Sequence, residues 1–73
     1  MAAIPLNSTV LREADYDPAT RGLTLTFVSG KRYAYRAVPL DVYEDFKAAF
    51  SKGTFFNTHI RDAYDYDLVE PRE

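Results

Sequence analysis

The chain of 73 residues contains no cysteine, no tryptophan, one histidine and only three glycines. Without cysteine, disulfide bonds and thiolate metal sites are excluded, and a reducing, cytoplasmic setting is compatible with the sequence. No apolar run reaches the length of about 18 residues that a membrane-spanning helix needs. The amino-terminal residues also lack the basic segment and apolar stretch of a signal peptide. We therefore expect a cytoplasmic protein without a membrane partner.

The residues that are present suit one small domain. Apolar residues make up 47% of the chain and aromatic residues 15%, which is enough for one compact core. A domain of this size buries only about 60% of the surface of its unfolded chain, so its stability margin is thin. Six tyrosines and five phenylalanines supply the aromatic rings. We expect the tyrosines at the edge of the core, because each hydroxyl must reach water or a partner.

The charge is small and unevenly distributed. The formal net charge is −2, which argues against a protein whose whole surface attracts nucleic acid. Residues 1–40 carry five basic and three acidic side chains, whereas residues 41–73 carry four basic and eight acidic ones. The surface therefore has two signs of charge rather than one basic stripe.

Three stretches in the first half of the chain have the patterns of strands joined by short turns. Residues 9–16 predict a first strand, with a mixed periodicity that allows a bulge. Residues 17–22 form a turn, in which proline fixes φ and Gly22 permits a positive φ. Residues 23–27 alternate Leu or Phe with Thr, which is typical of a half-buried strand. Residues 31–36 form the return strand, and so short a connection requires an antiparallel hairpin.

The hairpin loop decides which way the two tyrosines of the return strand point. If the loop is Val28–Gly30, Leu25 lies opposite Tyr33 and both tyrosines share the Leu/Phe face. If the loop is only Ser29-Gly30, Tyr33 lies opposite Thr26, on the other face. A three-residue loop with glycine last fits a type I turn followed by a left-handed residue, and this register also keeps the arginines of the return strand away from the core. The turn chemistry therefore favours the first register.

The second half of the chain has helical patterns. Residues 40–51 predict a helix with one apolar face, and Gly53 is placed just past its end. The apolar side chains of this face are Val42, Phe46, Ala49 and Phe50. Thr54 is expected to cap a second, short helix that ends near residue 61. Residues 64–69 alternate aromatic or aliphatic side chains with aspartates, which indicates an extended edge segment or a docked tail.

These elements define an α+β fold: a three-stranded antiparallel meander with a helix packed on one face, followed by a short second helix and an extended tail. A single domain spans residues 8–68, and residues 1–7 and 69–73 are interpreted as flexible termini. We expect a monomer, and dimerisation by pairing of exposed sheet edges is the alternative.

Short motifs follow one another in a distinctive order between Ser8 and Tyr66. They include Tyr16-Asp17-Pro18, Leu23-Thr24-Leu25-Thr26-Phe27, Tyr33-Ala34-Tyr35 and Phe56-Asn57-Thr58-His59-Ile60-Arg61. In this order they resemble the KTSC domain family, whose signature is a central Tyr-x-Tyr, matched here by Tyr33 and Tyr35. That family takes its name from a domain at the carboxyl terminus of some lysyl-tRNA synthetases, and it also occurs as short free-standing bacterial proteins.

The resemblance implies a small domain with a link to tRNA enzymes, and it suggests RNA, tRNA in particular, as a partner. The family has no assigned catalytic residues, so none transfers to this chain. The matched signature positions are interpreted as structural marks of the fold. These positions are Tyr33, Tyr35, Phe56, Asn57 and His59.

The segment from Lys31 to Arg36 has the highest density of aromatic and basic residues in the chain. Its tyrosines either stack on single-stranded bases or pack between sheet and helix, and the favoured register predicts packing. Its arginines then face outward, where guanidinium groups can hold phosphates or carboxylates. The candidate nucleic-acid contacts are Lys31, Arg32, Arg36, Lys52 and Arg61.

A second candidate cluster consists of Asn57, His59 and Arg61. As a general base, His59 needs a positioned partner, for which Asp62 is the candidate. The alternative is that Asn57 and His59 hold the second helix to the sheet or to the preceding turn by hydrogen bonds. One histidine and scattered aspartates give no metal-ligand spacing, and phosphate-loop and dinucleotide motifs are missing from the sequence, so neither a metal nor a cofactor is expected.

Three function hypotheses follow from these features. The favoured one is a small non-catalytic binding module for RNA that uses the outward basic residues. The second is a protein-interaction module, in which the sheet edge or the aromatic and acidic carboxyl-terminal segment docks a partner chain by strand addition. The third is a hydrolase-like activity centred on His59, although nothing in the chain requires an enzyme.

Overall fold

The computed structural model describes residues 3–69, which contain five antiparallel strands and two short helices. The strands are β1 (Ile4–Pro5), β2 (Leu11–Asp17), β3 (Gly22–Phe27), β4 (Arg32–Tyr35) and β5 (Tyr66–Val69). Each strand pairs with the next one along the chain, so the sheet is a meander. Between β4 and β5 lie α1 (Leu40–Ala48), α2 (Lys52–Phe55) and a π-helical turn (Phe56–Ile60).

The α+β class is confirmed, but the expected number of three strands is wrong. β1 pairs Ile4 with Ala14, and β5 pairs Leu68 with Tyr33. β1 contains Pro5, which suits an edge strand because proline cannot donate to a central ladder. Both added strands reach into stretches that the sequence interpretation assigned to the termini. Residues 1–2 and 70–73 of those termini lie outside the described residues.

The β3–β4 hairpin has the register that the turn chemistry favours. Leu25 lies opposite Tyr33, so the tyrosines of β4 share the Leu/Phe face. Gly30 has a φ of 97°, and its N–H donates to the Phe27 carbonyl at 2.9 Å. This is the geometry of a loop that ends in a left-handed glycine.

β2 is bulged and is followed by a turn that differs from the expected one. The pairing of β2 with β3 shifts between Leu11 and Glu13, which confirms the bulge that the mixed periodicity allowed. In the turn, Arg21 rather than Gly22 has the positive φ, at 60°. The reason is that Gly22 already pairs with Asp17 as the first residue of β3.

α1 ends earlier than its periodicity predicts. Ala49 has an extended backbone with ψ of 138°, so Phe50 lies beyond the helix and is fully exposed. The prediction that Phe50 belongs to the buried face is therefore wrong. Tyr43 lies on that face instead, where its ring stacks on Tyr16 with centroids 4.5 Å apart.

The early end of α1 also changes the residue that caps the second helix. The Ser51 hydroxyl accepts a hydrogen bond from the Thr54 N–H at 3.2 Å, so Ser51, and not Thr54, is the N-cap of α2. Gly53 lies inside α2 rather than just past α1. A serine directly before a short helix is a favourable cap because its oxygen satisfies a free backbone N–H.

The core lies between one face of the sheet and the helices. Its buried members are Leu11, Ala14, Tyr16, Leu23, Leu25, Tyr35, Val38, Tyr43, Phe46, Phe56 and Ile60. β3 and β4 contribute alternate residues to it, and the residues between these form an opposite face that no helix of residues 3–69 covers. Neither α1 nor α2 has the length and apolar character needed to cross a bilayer.

Candidate functional site

A cleft opens on the helix side of the sheet, where β4, β5 and the π-helical turn meet. Its volume is about 430 Å³. Five aromatic and two charged side chains line it, and we call this set the aromatic cleft. The aromatic members are Phe27, Tyr33, Tyr35, Phe56 and Tyr66, and the charged members are Arg61 and Asp62.

The five rings of the aromatic cleft contact one another in a closed circuit. The centroids of successive rings are 5.4 to 5.7 Å apart. Four of the five pairs meet at 75° to 87°, and Tyr35 meets Tyr66 at 40°. Such pairs contribute about 0.5–1.5 kcal/mol each beyond their buried area. These contacts therefore stabilise the arrangement of the rings that form the walls.

Burial differs sharply from one ring to another. Tyr35 and Phe56 have only 3% and 6% of their surface exposed, so they belong to the core as well as to the cleft. Phe27 and Tyr33 are half-buried, and Tyr66 is 52% exposed. The mouth of the cleft therefore presents the accessible ring of Tyr66, and the buried rings of Tyr35 and Phe56 form its base.

Strand alternation and an unusual helical turn bring the lining residues together. Tyr33 and Tyr35 lie on one pleat of β4, and Tyr66 pairs directly with Tyr35. The Arg61 N–H donates to the Phe56 carbonyl at 2.8 Å, which is the i→i+5 bond of a π-helix. Because of this wider turn, Arg61 follows Phe56 by one full turn, and both side chains line the cleft.

Burial and neighbouring charges perturb the hydroxyl at the base of the cleft. The pKa of Tyr35 is raised from 10.0 to about 12, mainly by burial and in smaller part by the nearby Tyr66 and Tyr33. Arg61 lowers the same pKa and Asp62 raises it, so both charges act on this hydroxyl. At neutral pH the Tyr35 hydroxyl keeps its proton, and it can both donate and accept a hydrogen bond.

We expect alkaline pH to weaken the fold through Tyr35. Folding raises the pKa of Tyr35 from 10.0 to about 12. Between these two pH values the folded protein therefore keeps the proton, whereas the unfolded chain has lost it. The corresponding part of the free energy of unfolding is complete below pH 10 and is lost as the pH rises to about 12. Urea denaturation across this range measures it. Tyr35→Phe has no proton to lose and should decline less steeply, and equal declines would contradict the assignment.

Arg32 and Arg36 lie on the opposite, helix-free face of the sheet, among carboxylates. The Arg36 Nε atom is 3.4 Å from Asp67 Oδ2. Arg32 and Glu13 flank Thr26 in neighbouring strands, because both pair with it. Their negative neighbours weaken the case for phosphate binding on this face.

The other predicted basic residues lie on the helix side or next to it. The Phe27 N–H donates to the Lys31 carbonyl at 2.9 Å, so the Lys31 backbone lies next to that of Phe27, a lining residue of the aromatic cleft. The Lys52 ammonium donates to the Ala49 carbonyl at 2.6 Å, which engages it at the end of α1. Of the predicted basic residues, the structure thus brings Arg61 to the cleft, whereas Lys31 and Lys52 do not line it.

Asn57 and His59 are exposed on the π-helical turn. The His59 ring lies 4.6 Å from the Phe55 ring. In residues 3–69 neither side chain makes a hydrogen bond to another protein group, which differs from the interpretation that they attach the helix to the sheet or to the preceding turn. Asp62 lines the aromatic cleft instead of partnering His59. The described part of the chain holds no group of three His, Asp or Glu side chains suited to a metal ion.

The sequence did not predict that Tyr66 and Asp62 lie close to the tyrosines of β4. The alternation at residues 64–69 indicated an extended segment, but a long helical connection does not fix the strand with which that segment pairs. One signal was available: Tyr66 and Leu68 occupy one pleat, as the tyrosines of β4 do. Matching these two apolar pleats would have placed β5 beside β4.

A five-stranded meander with helices on one face and an aromatic cleft at their junction defines a small α+β domain. The chain belongs to the KTSC domain family, whose domain model matches residues 7–64. The resemblance noted from the ordered motifs is thereby confirmed. The crystal structure of a KTSC domain protein from Yersinia pestis is similar to this fold, with a TM-score of 0.92 and 29% identity, and the match covers 94% of this chain and 97% of that one.

Two kinds of protein contain segments similar in sequence to this chain. A protein of Tsukamurella paurometabola is 38% identical over 60 residues, which cover 82% of this chain and 90% of that protein. A lysine–tRNA ligase of a Nostoc species is 44% identical over 54 residues, which cover 74% of this chain and 10% of the ligase. The chain is thus similar to nearly the whole length of one small protein and to one short segment of a much longer enzyme.

Proposed function

We propose that this KTSC domain binds single-stranded RNA, with one unstacked base in the aromatic cleft and with Arg61 and Lys31 near the flanking phosphates. The observation that carries the proposal is a cleft lined by five aromatic rings together with the cationic side chain of Arg61. Proteins that bind single strands combine aromatic stacking with basic side chains along the backbone. A volume of about 430 Å³ lies at the lower end of the usual range for ligand pockets, about 300–1,000 Å³, and so suits a single base.

The relatives support RNA as the class of partner. Segments similar to this chain occur in lysine–tRNA ligases, whose name states that tRNA is a substrate. Sequence-specific RNA recognition mostly targets loops and ends with unstacked bases. Fragments of tRNA with single-stranded ends are therefore the first ligands to test.

The binding that we expect is modest and sensitive to salt. Each phosphate contact of a single strand contributes about −0.7 to the slope of log affinity against log salt, so two contacts give about −1.4. Arg32 and Arg36 lie on the other face of the sheet with carboxylates nearby, so they are not counted among these contacts. The net charge of −2 is consistent with a few local contacts rather than a broad basic surface.

Replacing Arg61 by Ala is expected to weaken RNA binding about tenfold, because a charge-assisted hydrogen bond is lost. It should also reduce the salt slope by about 0.7. Fluorescence anisotropy of a labelled single-stranded tRNA fragment at low and physiological salt measures both effects. Arg12→Ala is the matched control, because Arg12 is exposed on β2 and lies outside the cleft.

Three outcomes would count against this proposal. Failure to bind any single-stranded RNA at low salt would remove it. If Arg61→Ala and Arg12→Ala lost the same RNA affinity, the binding would depend on overall charge and not on the cleft. Stoichiometric capture of one protein without RNA binding would favour strand addition at β5, whose Tyr66 and Leu68 are exposed.

A further inference from the structure

Asp62 is an unexpected residue in a cleft that is proposed to bind part of an anionic polymer. Its carboxylate is exposed and lines the aromatic cleft. In residues 3–69, ion pairs join Arg36 with Asp67 and Lys47 with Glu44, but none engages Asp62. A carboxylate repels phosphate, so electrostatics alone gives no reason for its place beside the bound strand. It is, however, a strong acceptor for hydrogen-bond donors.

The edges of the four RNA bases differ in how they meet a carboxylate. Guanine presents two adjacent donors, N1–H and the N2 amino group. Adenine and cytosine each place one amino donor beside a ring-nitrogen acceptor, which a carboxylate repels. Uracil has a single N3–H between two carbonyl oxygens. Because an ionised carboxylate only accepts hydrogen bonds, guanine alone can satisfy both of its oxygens at once.

We propose that the aromatic cleft selects guanine, with the Asp62 carboxylate accepting hydrogen bonds from N1–H and the N2 amino group. This inference rests on the RNA binding proposed above and deepens it. The rings cannot supply such selection, because stacking on aromatic side chains tolerates every base. The discrimination therefore depends on the charged edge of the cleft.

The Tyr35 hydroxyl suits the remaining polar atom of the same base edge. Guanine carries the O6 acceptor next to N1–H, and a protonated phenol can donate to it. Tyr35 and Asp62 line one cleft and interact electrostatically. A donor and a double acceptor in one cleft match the order of groups on guanine and on no other standard base.

Oligouridine strands with one central guest base test the selection. In anisotropy titrations at low salt, the strand with a guanine guest is expected to bind about tenfold more tightly than strands with adenine, cytosine or uracil guests. An inosine guest, which keeps N1–H but lacks the N2 amino group, should fall between guanine and the others. Equal affinity for all guests would overturn guanine selection while leaving RNA binding intact. Failure to bind any guest or the tRNA fragment would overturn both proposals.

Asp62→Asn separates base recognition from simple charge repulsion. An amide has a donor group, NH2, beside an acceptor group, C=O, and this pair suits the mixed edges of adenine and cytosine. The variant should therefore lose its preference for guanine and gain relative affinity for adenine or cytosine guests. If Asp62 acted only by repelling phosphate, the variant would bind every guest more tightly by the same factor, and the proposal would be wrong. Asp65→Asn is the matched control, because it removes the same charge three residues away and outside the cleft.

Discussion

Replacing Phe46 by Ala is expected to lower the free energy of unfolding by about 3–5 kcal/mol, the usual cost of truncating a buried phenylalanine. Phe46 has no exposed surface, and it is the one fully buried large side chain that α1 contributes to the core. Its ring also lies 6.0 Å from the ring of Phe55 in α2. The truncation therefore leaves a cavity at the point where both helices meet the sheet.

The loss is large relative to the stability of so small a domain. Globular proteins are stable by about 5–15 kcal/mol, and short chains bury a smaller share of their surface. Urea denaturation followed by circular dichroism measures the change. Phe50→Ala removes the same ring from a fully exposed position and should leave the midpoint unchanged. Similar midpoints for the two variants would contradict the buried face assigned to α1.

The hairpin of β3 and β4 was predictable because local chemistry determines it. A loop with glycine last permits the left-handed residue that closes a three-residue turn, and Gly30 has this conformation, with φ of 97°. The register then follows, since a shift of one residue would move every side chain to the other face. The prediction that Tyr33 and Tyr35 face the helices rested on this reasoning, and it is confirmed.

The ends of the helices and the outer strands were less predictable because tertiary contacts determine them. The spacing of Phe46 and Phe50 fits one helical face, yet the chain leaves the helix at Ala49. Ser51 can then cap a new helix. β1 has only two residues, too few for a periodic pattern. β5 is separated from its partner by all the helical segments, so pairing depends on where those segments return the chain.

The aromatic cleft could be predicted only in part for the same reason. The sequence indicated the tyrosines of β4 and named Arg61 as a basic candidate. The meeting of these residues depends on the i→i+5 bond between Arg61 and Phe56, which no side-chain pattern signals. An ordinary α-helical turn would place Ile60 over the Phe56 carbonyl instead. The π-helical turn therefore converts a hydrophobic helix end into one side of the candidate site, as such turns often do at functional positions.

Replacing Tyr66 by Ala is expected to weaken binding of single-stranded RNA by about 1–3 kcal/mol, which is roughly 5- to 150-fold. Tyr66 is the most exposed ring of the aromatic cleft, at 52%. The centroid of its ring lies 5.4 Å from those of Tyr33 and Tyr35. The substitution therefore removes one wall of the cleft and the ring contacts that hold Tyr33 and Tyr35. Anisotropy titration of the labelled tRNA fragment measures the loss. A preserved near-ultraviolet circular dichroism spectrum outside the tyrosine change would show that the variant is folded.

Two further variants separate stacking on Tyr66 from other causes of weaker binding. Tyr66→Phe keeps the ring and removes the hydroxyl, so it should retain most of the affinity if stacking is the cause. Phe50→Ala removes a more exposed aromatic ring from outside the cleft, so it should bind RNA as the unmodified protein does. A loss in Phe50→Ala equal to that in Tyr66→Ala would mean that any exposed ring suffices. In that case the closed circuit of rings at the junction of β4, β5 and the π-helical turn would serve only to stabilise the fold.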